Sequence, residues 1–343
     1  MKILHGPNNI GGMAGNLSKA QRLCGVDAYS YCFPTEPFGY TADRTIQATG
    51  CFGRGAEILG FFAREGLSYD IFQFYFGVSY TGPGLHEISF LKRLGKKINF
   101  YFCGCDVRDS KIVIQRYRYS ACSHCWPMLC SHNRKKALSV AERYADAIFV
   151  STPDLLEFVP GALFLPQPID LEAFARVTNE TCRGRYSLTE KRRVRIAHAP
   201  SNQSMKGTKY LLQAIEALQK KGLSVDLDLI EGKSYRETIR ICAMADIVVD
   251  QLLIGAYGQF SVEMMALGKP VVCYIREDLL EHYPPGLPII SATPENIDTV
   301  LNELIENREE WTKRGSQGED YVKHNHDSIV IAQRLIAYYQ TGV

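Results

Sequence analysis

Residues 245–274, ADIVVDQLLIGAYGQFSVEMMALGKPVVCY, decide the fold class. Asp246 to Asp250 is a short β-branched run, which is typical of a buried parallel strand. Gln259 to Leu267 has apolar residues at helical spacing and is followed by Gly268, a residue type that commonly ends helices. Val271 to Tyr274, which comes directly after a proline, again has the character of a buried strand. The stretch therefore predicts strand, loop, helix and strand, the repeating unit of a parallel α/β sheet.

Ligands of open α/β sheets lie beyond the carboxyl ends of the strands. Tyr257, Gly258 and Glu263 fall at that edge of the predicted sheet. A glutamate in the first turn of a helix often does no more than complement the helix dipole at the surface. Two interpretations of Glu263 therefore stay open, a surface residue and a ligand contact. Tyr257 is equally open, as a core tyrosine or as a wall of the site.

The alternation of strands and helices occurs twice along the chain, once before residue 174 and once after residue 194. Two such sets predict two doubly wound domains that face each other across a cleft. We expect the first domain to span residues 1–174 and the second residues 194–325, with a last helix in 326–343 that packs back on the first. The polar stretch 175–193 is the predicted linker. Its arginines and lysines are most simply solvated, the alternative being contact with phosphates or an anionic membrane.

The composition limits the classes of partner. The chain has 343 residues, 46% of them hydrophobic, and a formal net charge of +2, which gives no reason to expect a nucleic-acid partner. No apolar run approaches the ~18 residues that a membrane helix needs. The start, MKILHG, has no hydrophobic signal region. We therefore expect a cytoplasmic protein, with peripheral contact at the inner membrane face left open.

A glycine-rich turn follows the first predicted strand, Lys2 to His5. Gly11-Gly12 precedes a helical stretch, where free backbone N–H groups and the helix N-terminus favour anions. The full dinucleotide fingerprint G-x-G-x-x-G and the lysine of a P-loop are both absent from the turn. A ligand-binding role for Gly12 and a plain tight turn both remain possible interpretations.

A cysteine cluster interrupts the alternation in residues 103–132. It contains Cys103, Cys105, Cys122, Cys125 and Cys130. Two histidines lie alongside, and the C-x-x-C pair has the spacing of a zinc knuckle. The sequence predicts a structural Zn²⁺ on Cys105, Cys122, Cys125 and Cys130, in an insert of the first domain. Buried thiols without metal are the main alternative, and an iron–sulfur cluster is a more distant one.

Several motifs of the second half resemble one enzyme family. They are the first strand with its serine (Ile196 to Ser201), the Lys206-Gly207 pair, Asp250-Gln251, Tyr257-Gly258 and the run Glu263 to Val272. Together with Gly11-Gly12 they are similar to retaining nucleotide-sugar glycosyltransferases of GT-B architecture, in a group 1, family 4-like bacterial subgroup. The resemblance covers nearly the whole chain. It implies two Rossmann-like domains, the second binding the donor and the first the acceptor.

The resemblance implies a hexosyl transfer from a UDP- or GDP-sugar to a glycan or lipid-linked acceptor, as in polysaccharide biosynthesis. Charge builds up on the departing diphosphate, and Lys206, expected at a helix N-terminus, would neutralise it. A solvated surface lysine is the alternative. Glu263 would accept hydrogen bonds from the ribose hydroxyls. The remaining donor contacts would come from Gly12, Ser201, Gly207, Tyr257, Gly258 and Ser261. No catalytic metal is expected.

The sequence also departs from the family pattern. The family usually has a glutamate eight positions before Glu263, where this chain has Gly255, and a histidine where this chain has Cys103. Asp250 is the substitute that we expect near the sugar. Asp106 is a further catalytic candidate, with a structural salt bridge to Arg108 as its alternative. A nucleotide-sugar epimerase and a non-catalytic nucleotide-sugar-binding protein therefore remain as alternative functions.

Overall fold

The computed structural model describes residues 1–35, 39–125, 134–181 and 193–342. Contacts divide these residues into two compact units. Residues within 1–109, 130–170 and 326–343 form the first unit, and residues within 110–129 and 171–325 form the second. Each unit has its own parallel sheet and its own apolar core.

The first unit contains a parallel sheet with strand order β3-β2-β1-β4-β5-β6-β7. Its five inner strands are short and mostly buried, as is typical of a parallel sheet. The strands of the sheet are β1 (Lys2–Gly6), β2 (Asp27–Cys32), β3 (Arg44–Thr45), β4 (Ile71–Tyr75), β5 (Lys97–Phe102), β6 (Ala147–Val150) and β7 (Leu163–Phe164). The order changes direction between β1 and β4, the topology of a doubly wound sheet.

Helices cover both faces of this sheet. They are α1 (Met13–Leu23), α2 (Gly50–Arg64), α3 (Ile88–Arg93), α5 (Arg134–Tyr144) and α13 (Ser328–Thr341). Alternate residues of β1 point to opposite faces, so Leu4 packs in the cluster that includes α2, α3 and α5. Ile3 packs with α1 and α13 on the other face. The last helix of the chain is therefore part of the first unit's core.

The second unit is built on a parallel sheet with strand order β11-β10-β8-β9. Its strands are β8 (Val194–His198), β9 (Val225–Leu229), β10 (Ile247–Val249) and β11 (Val271–Val272). Its helices are α4 (Ser110–Arg116), α6 (Leu171–Thr181), α7 (Gln203–Lys206), α8 (Thr208–Lys220), α9 (Tyr235–Met244), α10 (Gln259–Ala266), α11 (Ile297–Glu306) and α12 (Glu310–Asn325). One core cluster joins the four strands to α8 and α11.

The structure differs from the sequence predictions in the regions described next. Residues 175–181, expected in the linker, continue helix α6, and 182–192 lie outside the described residues. Residues 110–125, expected with the first domain, pack in the second unit. Lys206, expected at a helix N-terminus, instead ends α7, because Gly207 with φ +81° separates α7 from α8.

Among the described residues, no helix is both long enough and apolar enough to cross a membrane.

Candidate functional site

Lys206 and Asp250 meet at the carboxyl edge of the second sheet. Asp250 follows β10 directly and is almost completely buried, and its Oδ1 lies 2.7 Å from the Lys206 ammonium. Its other oxygen accepts a hydrogen bond of 2.7 Å from the Ser261 hydroxyl. Both carboxylate oxygens are therefore held, and the ammonium has a fixed position. This is the first pair of sequence-predicted residues that the fold brings together.

Lys206 does not begin a helix, which corrects the expectation from the sequence. It is the last residue of the one-turn helix α7, and α8 begins only at Thr208. The reason is Gly207, whose left-handed conformation ends α7 and lies so close to Leu252 that a Cβ would be 3.1 Å from the Leu252 Cβ. The ammonium lies at the C-terminal end of α7, where the helix dipole does not favour an anion. Its effect on a ligand therefore comes from its own charge and from its partners.

Gln251 is a second hydrogen-bond acceptor for the Lys206 ammonium. Its Oε1 accepts a hydrogen bond of 2.8 Å from the Lys206 ammonium, while its Nε2 donates to the carbonyl of Ala256. Gln251 is absent from the predicted site residues. The signal that could have found it is its place next to Asp250 at the end of a buried strand, within the Asp-Gln pair of the resemblance.

Glu263 is a buried carboxylic acid in α10 that lies beyond the first turn, so the expected first-turn position at the surface is wrong. Burial is the main reason that its pKa is raised to about 8, and the nearby Asp250 charge raises it further. The Tyr235 hydroxyl donates to its Oε1 at 3.2 Å, and a hydrogen bond from Gln259 also favours the ionised form. At neutral pH the side chain is thus largely protonated. Tyr235, which the sequence does not single out, is therefore a further candidate residue of this site.

The remaining donor-side candidates have different environments. Gly258 is the N-cap residue of α10, so the free N–H groups of that helix start beside it. Ser201 is exposed in the loop after β8. Ser261 is fully buried and donates to Asp250, so it holds the carboxylate. Tyr257 is also buried, 2% exposed and stacked on Tyr283 at 4.8 Å, and we therefore assign it to the core.

His198 fastens this edge of the sheet. Its Nδ1 lies 2.8 Å from the carbonyl oxygen of Val249 and its Nε2 lies 2.9 Å from the Thr208 hydroxyl. Burial lowers the pKa of the ring. Because this side chain joins the ends of β8 and β10 to the start of α8, it fixes the chain on either side of the segments that carry Lys206 and Asp250.

The first-unit candidates are held by backbone contacts. The Asp106 carboxylate accepts hydrogen bonds from the N–H groups of Cys103 (3.0 Å) and Gly104 (2.6 Å), and burial raises its pKa to about 6. Arg108 pairs with Asp154 at 2.6 Å. Gly12 has φ +76° and begins α1, and a Cβ there would lie 3.2 Å from the Tyr40 ring. The two backbone hydrogen bonds to its carboxylate give Asp106 a structural role in the loop after β5.

The cysteine cluster is only partly covered by the structure. Cys130 and His132 lie outside the described residues. Within the described ranges, no group of three or more His, Cys, Asp or Glu side chains is arranged to hold a metal ion. Cys105, Cys122 and Cys125 therefore do not make such a group by themselves. The zinc site on four cysteines stays a prediction.

No protein-family model and no curated protein sequence matches the chain. Solved structures do. Sucrose-phosphate synthase from Thermosynechococcus elongatus matches with a TM-score of 0.63 and 14% identity, over 98% of each chain. Anabaena HepE in complex with UDP-glucose matches with a TM-score of 0.61 and 15% identity, over 100% of each chain.

A putative UDP-N-acetylglucosamine 2-epimerase from Listeria monocytogenes also matches, with a TM-score of 0.55 and 13% identity, over 100% of this chain and 96% of that one. Identities this low show the fold alone. The chain has the GT-B fold, with two Rossmann-like units built from one polypeptide.

Proposed function

We propose that the protein is a glycosyltransferase that moves a hexosyl group from a nucleotide-sugar donor to a glycan or lipid-linked acceptor. The donor binds at the carboxyl edge of the second unit's sheet. The observation that carries the proposal is the cluster of Lys206, Asp250, Gln251 and Glu263, which gathers a fixed ammonium and a buried carboxylic acid at that edge. Structures of the same fold that contain UDP or UDP-glucose support a UDP-sugar, with a GDP-sugar as the alternative donor.

The lysine is the residue that neutralises the leaving diphosphate. A lysine ammonium has three N–H donors, and two of them already point to Asp250 and Gln251. Within the described ranges of the chain, the third has no such acceptor, and we assign it to a phosphate oxygen. The two protein acceptors hold the ammonium before the donor arrives, so little reorganisation is needed when negative charge develops on the diphosphate.

The start of α10 supplies the second phosphate contact and the ribose contact. The N–H groups next to Gly258 favour an anion because they have no partner within the helix. Glu263 accepts the ribose hydroxyls, and each O–H donor favours its ionised form. Ribose binding therefore lowers the pKa of Glu263, so that donor binding releases a proton near neutral pH.

The transfer retains the anomeric configuration without a covalent enzyme nucleophile. Asp250, the expected acidic residue near the sugar, has both oxygens engaged by Lys206 and Ser261. We therefore assign it to positioning the lysine rather than to attack on the sugar.

Epimerisation of a nucleotide sugar is the second candidate, favoured by the likeness to the putative 2-epimerase. Incubation of the protein with each nucleotide sugar alone separates the two functions. An epimerase converts the donor without an acceptor, whereas a glycosyltransferase releases at most a slow stream of free sugar and nucleoside diphosphate.

Thermal stabilisation by a panel of UDP- and GDP-sugars tests the donor site. A ligand at a hundred times its dissociation constant adds about 2.7 kcal/mol to the free energy of unfolding. We expect at least one nucleotide sugar to raise the melting temperature of the wild type and not that of Lys206→Met. If no nucleotide sugar stabilises the protein, the proposal is wrong.

A further inference from the structure

Residues 110–125, here called the docking segment, leave the first unit and pack in the second. The segment consists of α4, the aromatic stretch Tyr117 to Tyr119, and a 3-10 turn at Ala121–His124. Asp109, before it, and Arg134, beyond it, belong to the first unit and form an ion pair of 2.6 Å with each other. The described part of the docking segment therefore belongs to the second unit, although the residues before and beyond it belong to the first.

The tip of the docking segment contacts the residues around Lys206. The Ala121 N–H donates a hydrogen bond of 3.0 Å to the carbonyl of Leu253, and the turn at Ala121–His124 packs against α7. Leu252, the neighbour of that acceptor, donates its own N–H to the Lys206 carbonyl at 3.0 Å. Two backbone hydrogen bonds, joined through the peptide link between Leu252 and Leu253, thus connect the docking segment to the residue that carries the ammonium.

A cation–π contact and an aromatic pair join the docking segment to the residues after β11. The Arg276 guanidinium lies 3.7 Å from the centre of the Tyr117 ring. It also forms a bidentate ion pair with the Asp278 carboxylate, with hydrogen bonds of 3.0 and 2.6 Å. Beside this pair, Tyr119 meets Tyr274 edge to face at 5.4 Å. A planar guanidinium held by a ring and a carboxylate has little rotational freedom.

Arg276 in turn fills the space beside Gly255. A Cβ on Gly255 would lie only 2.5 Å from the Arg276 Cγ, and Gly255 has φ +82°. The Arg276 N–H also donates to the Gly255 carbonyl at 2.9 Å. The arginine stem therefore occupies the volume in which a side chain at position 255 would begin. This gives a physical reason for glycine at the position where the sequence departs from the family pattern.

We propose that the docking segment positions the loop from Gln251 to Gly258, and with it Lys206, for the donor, and that Tyr117 is the positioning residue that fixes Arg276. This inference rests on the proposed function, because it assigns the ordered loop to nucleotide binding. Tyr117 acts through Arg276 and Gly255, while Ala121 acts through Leu253 on the other side of the same loop.

Calorimetric titration with UDP, GDP and ADP tests the role of Tyr117. Tyr117→Leu removes the ring face, Tyr117→Phe keeps it, and Arg118→Ala removes an exposed neighbour of the same segment. We expect roughly tenfold weaker binding of the preferred nucleotide for Tyr117→Leu, and binding within about twofold of wild type for the other two variants. Tyr119→Leu, which loses the contact with Tyr274, provides a second variant and should weaken binding in the same direction.

Hydrogen exchange without nucleotide gives a readout that is independent of the proposed function. In Tyr117→Leu, the amides of Leu252 and Arg276 should exchange faster, while that of Val248 inside β10 should not change. Faster exchange with unchanged nucleotide binding would mean that the segment only stabilises the loop, and the positioning role would be wrong. Unchanged exchange would also overturn it. If the wild type binds none of the three nucleotides, the proposed function fails, whereas the exchange result still reports on the contact itself.

Discussion

At the scale of single residues, the candidate site depends on a balance of charge between Lys206 and Asp250. The carboxylate is 1% exposed and the ammonium is its cationic partner, so removing the lysine leaves a buried negative charge uncompensated. Removing one member of a buried pair is far more costly than replacing both with neutral groups. Stability and donor binding can therefore be separated by comparing single and double variants.

The first prediction concerns this pair. Lys206→Met should lower the free energy of unfolding by about 3–5 kcal/mol, and the double variant Lys206→Met, Asp250→Asn should regain most of the loss. Donor turnover should fall by about 10²–10³-fold in both, because the cation facing the diphosphate is absent in both. Denaturant unfolding and turnover assays measure the two effects, with Lys209→Met on α8 as the control. Recovered turnover in the double variant would contradict the role of the ammonium.

Glu263 provides a pH-dependent prediction. Its pKa is about 8 in the folded protein, against 4.5 for an unperturbed glutamate, so the folded state keeps a proton that the unfolded chain has lost. The free energy of unfolding should therefore fall as pH rises from about 4.5 to 8, by on the order of 4 kcal/mol. Glu263→Gln should lose this dependence. Urea titrations at pH 5 and pH 8 measure the free energy of unfolding of both proteins. An equal change between the two pH values in both proteins would show that the pKa of the Glu263 carboxyl group is not raised.

The sequence predicts which residues belong to the candidate site better than it predicts the contacts that these residues make. Lys206, Asp250, Ser261 and Glu263 come from motifs at the ends of strands and starts of helices, and the fold places all of them at one edge of the second sheet. Their partners are different. Tyr235 and Gln251 meet Glu263 and Lys206 only through tertiary structure, and the burial of Tyr257 depends on Tyr283 and Tyr321, which are distant in sequence.

At the scale of elements, helix α12 supports the helix that carries Glu263. Gly315 lies so close to α10 that a Cβ would be 2.1 Å from the Gly268 carbonyl oxygen, and Gly318 approaches Met265 in the same way. The glycines allow the two helices to pack at backbone distance. The sequence does not predict helix α12, because its polar stretch, EWTKRGSQGEDYVKHN, contains two glycines where a helical pattern expects apolar residues.

The element-scale prediction concerns that close approach. Gly315→Ala should lower the free energy of unfolding by about 1–3 kcal/mol, because the added methyl group forces α12 away from the end of α10. Ser316→Ala, at an exposed position of the same helix, is the matched control and should be neutral or slightly stabilising. Chemical unfolding monitored by circular dichroism measures both. Equal stability of the two variants would show that the helices have room to separate.

The strands are more predictable than the connections. Buried parallel strands such as β4 and β5 carry runs of apolar and aromatic residues, which the sequence shows directly. The docking segment has no comparable signal, since its neighbours in space are Leu253, Tyr274 and Arg276, more than a hundred residues later. Membership of residues 110–125 in the second unit is a tertiary property.

At the scale of the whole molecule, two buried histidines make the first unit sensitive to acid. His5 lies between the Tyr75 hydroxyl and the Gln21 side chain, each at 2.7 Å, and His326 lies 2.8 Å from the Gln167 carbonyl oxygen. Burial lowers the pKa of each ring to about 4. The folded protein thus keeps both rings neutral in a range where the unfolded chain takes up protons.

The resulting prediction is a loss of stability in mild acid. As pH falls from about 6.5 to 4, the free energy of unfolding should fall by on the order of 3 kcal/mol per histidine. His326→Gln should reduce the pH dependence, whereas His86→Gln, at an exposed position, should leave it unchanged. Urea titrations at pH 7 and pH 4.5 test this. If the free energy of unfolding of His326→Gln falls as much between pH 7 and pH 4.5 as that of the wild type, the buried ring does not control the acid response.

The GT-B fold is predictable as a whole because each half repeats the strand and helix pattern, and the solved structures of the same fold agree over the full length. The boundaries are less predictable. Within the described residues, the chain passes between the two units at 109–110, 170–171 and 325–326, and the first of these lies inside the stretch that the sequence assigns to the first domain.

The central claim is that the carboxyl edge of the second sheet holds a nucleotide sugar. A crystal structure of the protein with bound UDP or GDP tests it most directly. We expect a phosphate oxygen within hydrogen-bonding distance of the Lys206 ammonium and ribose hydroxyls on the Glu263 carboxylate. A nucleotide bound elsewhere, with Lys206 and Glu263 still contacting only protein groups, would contradict it.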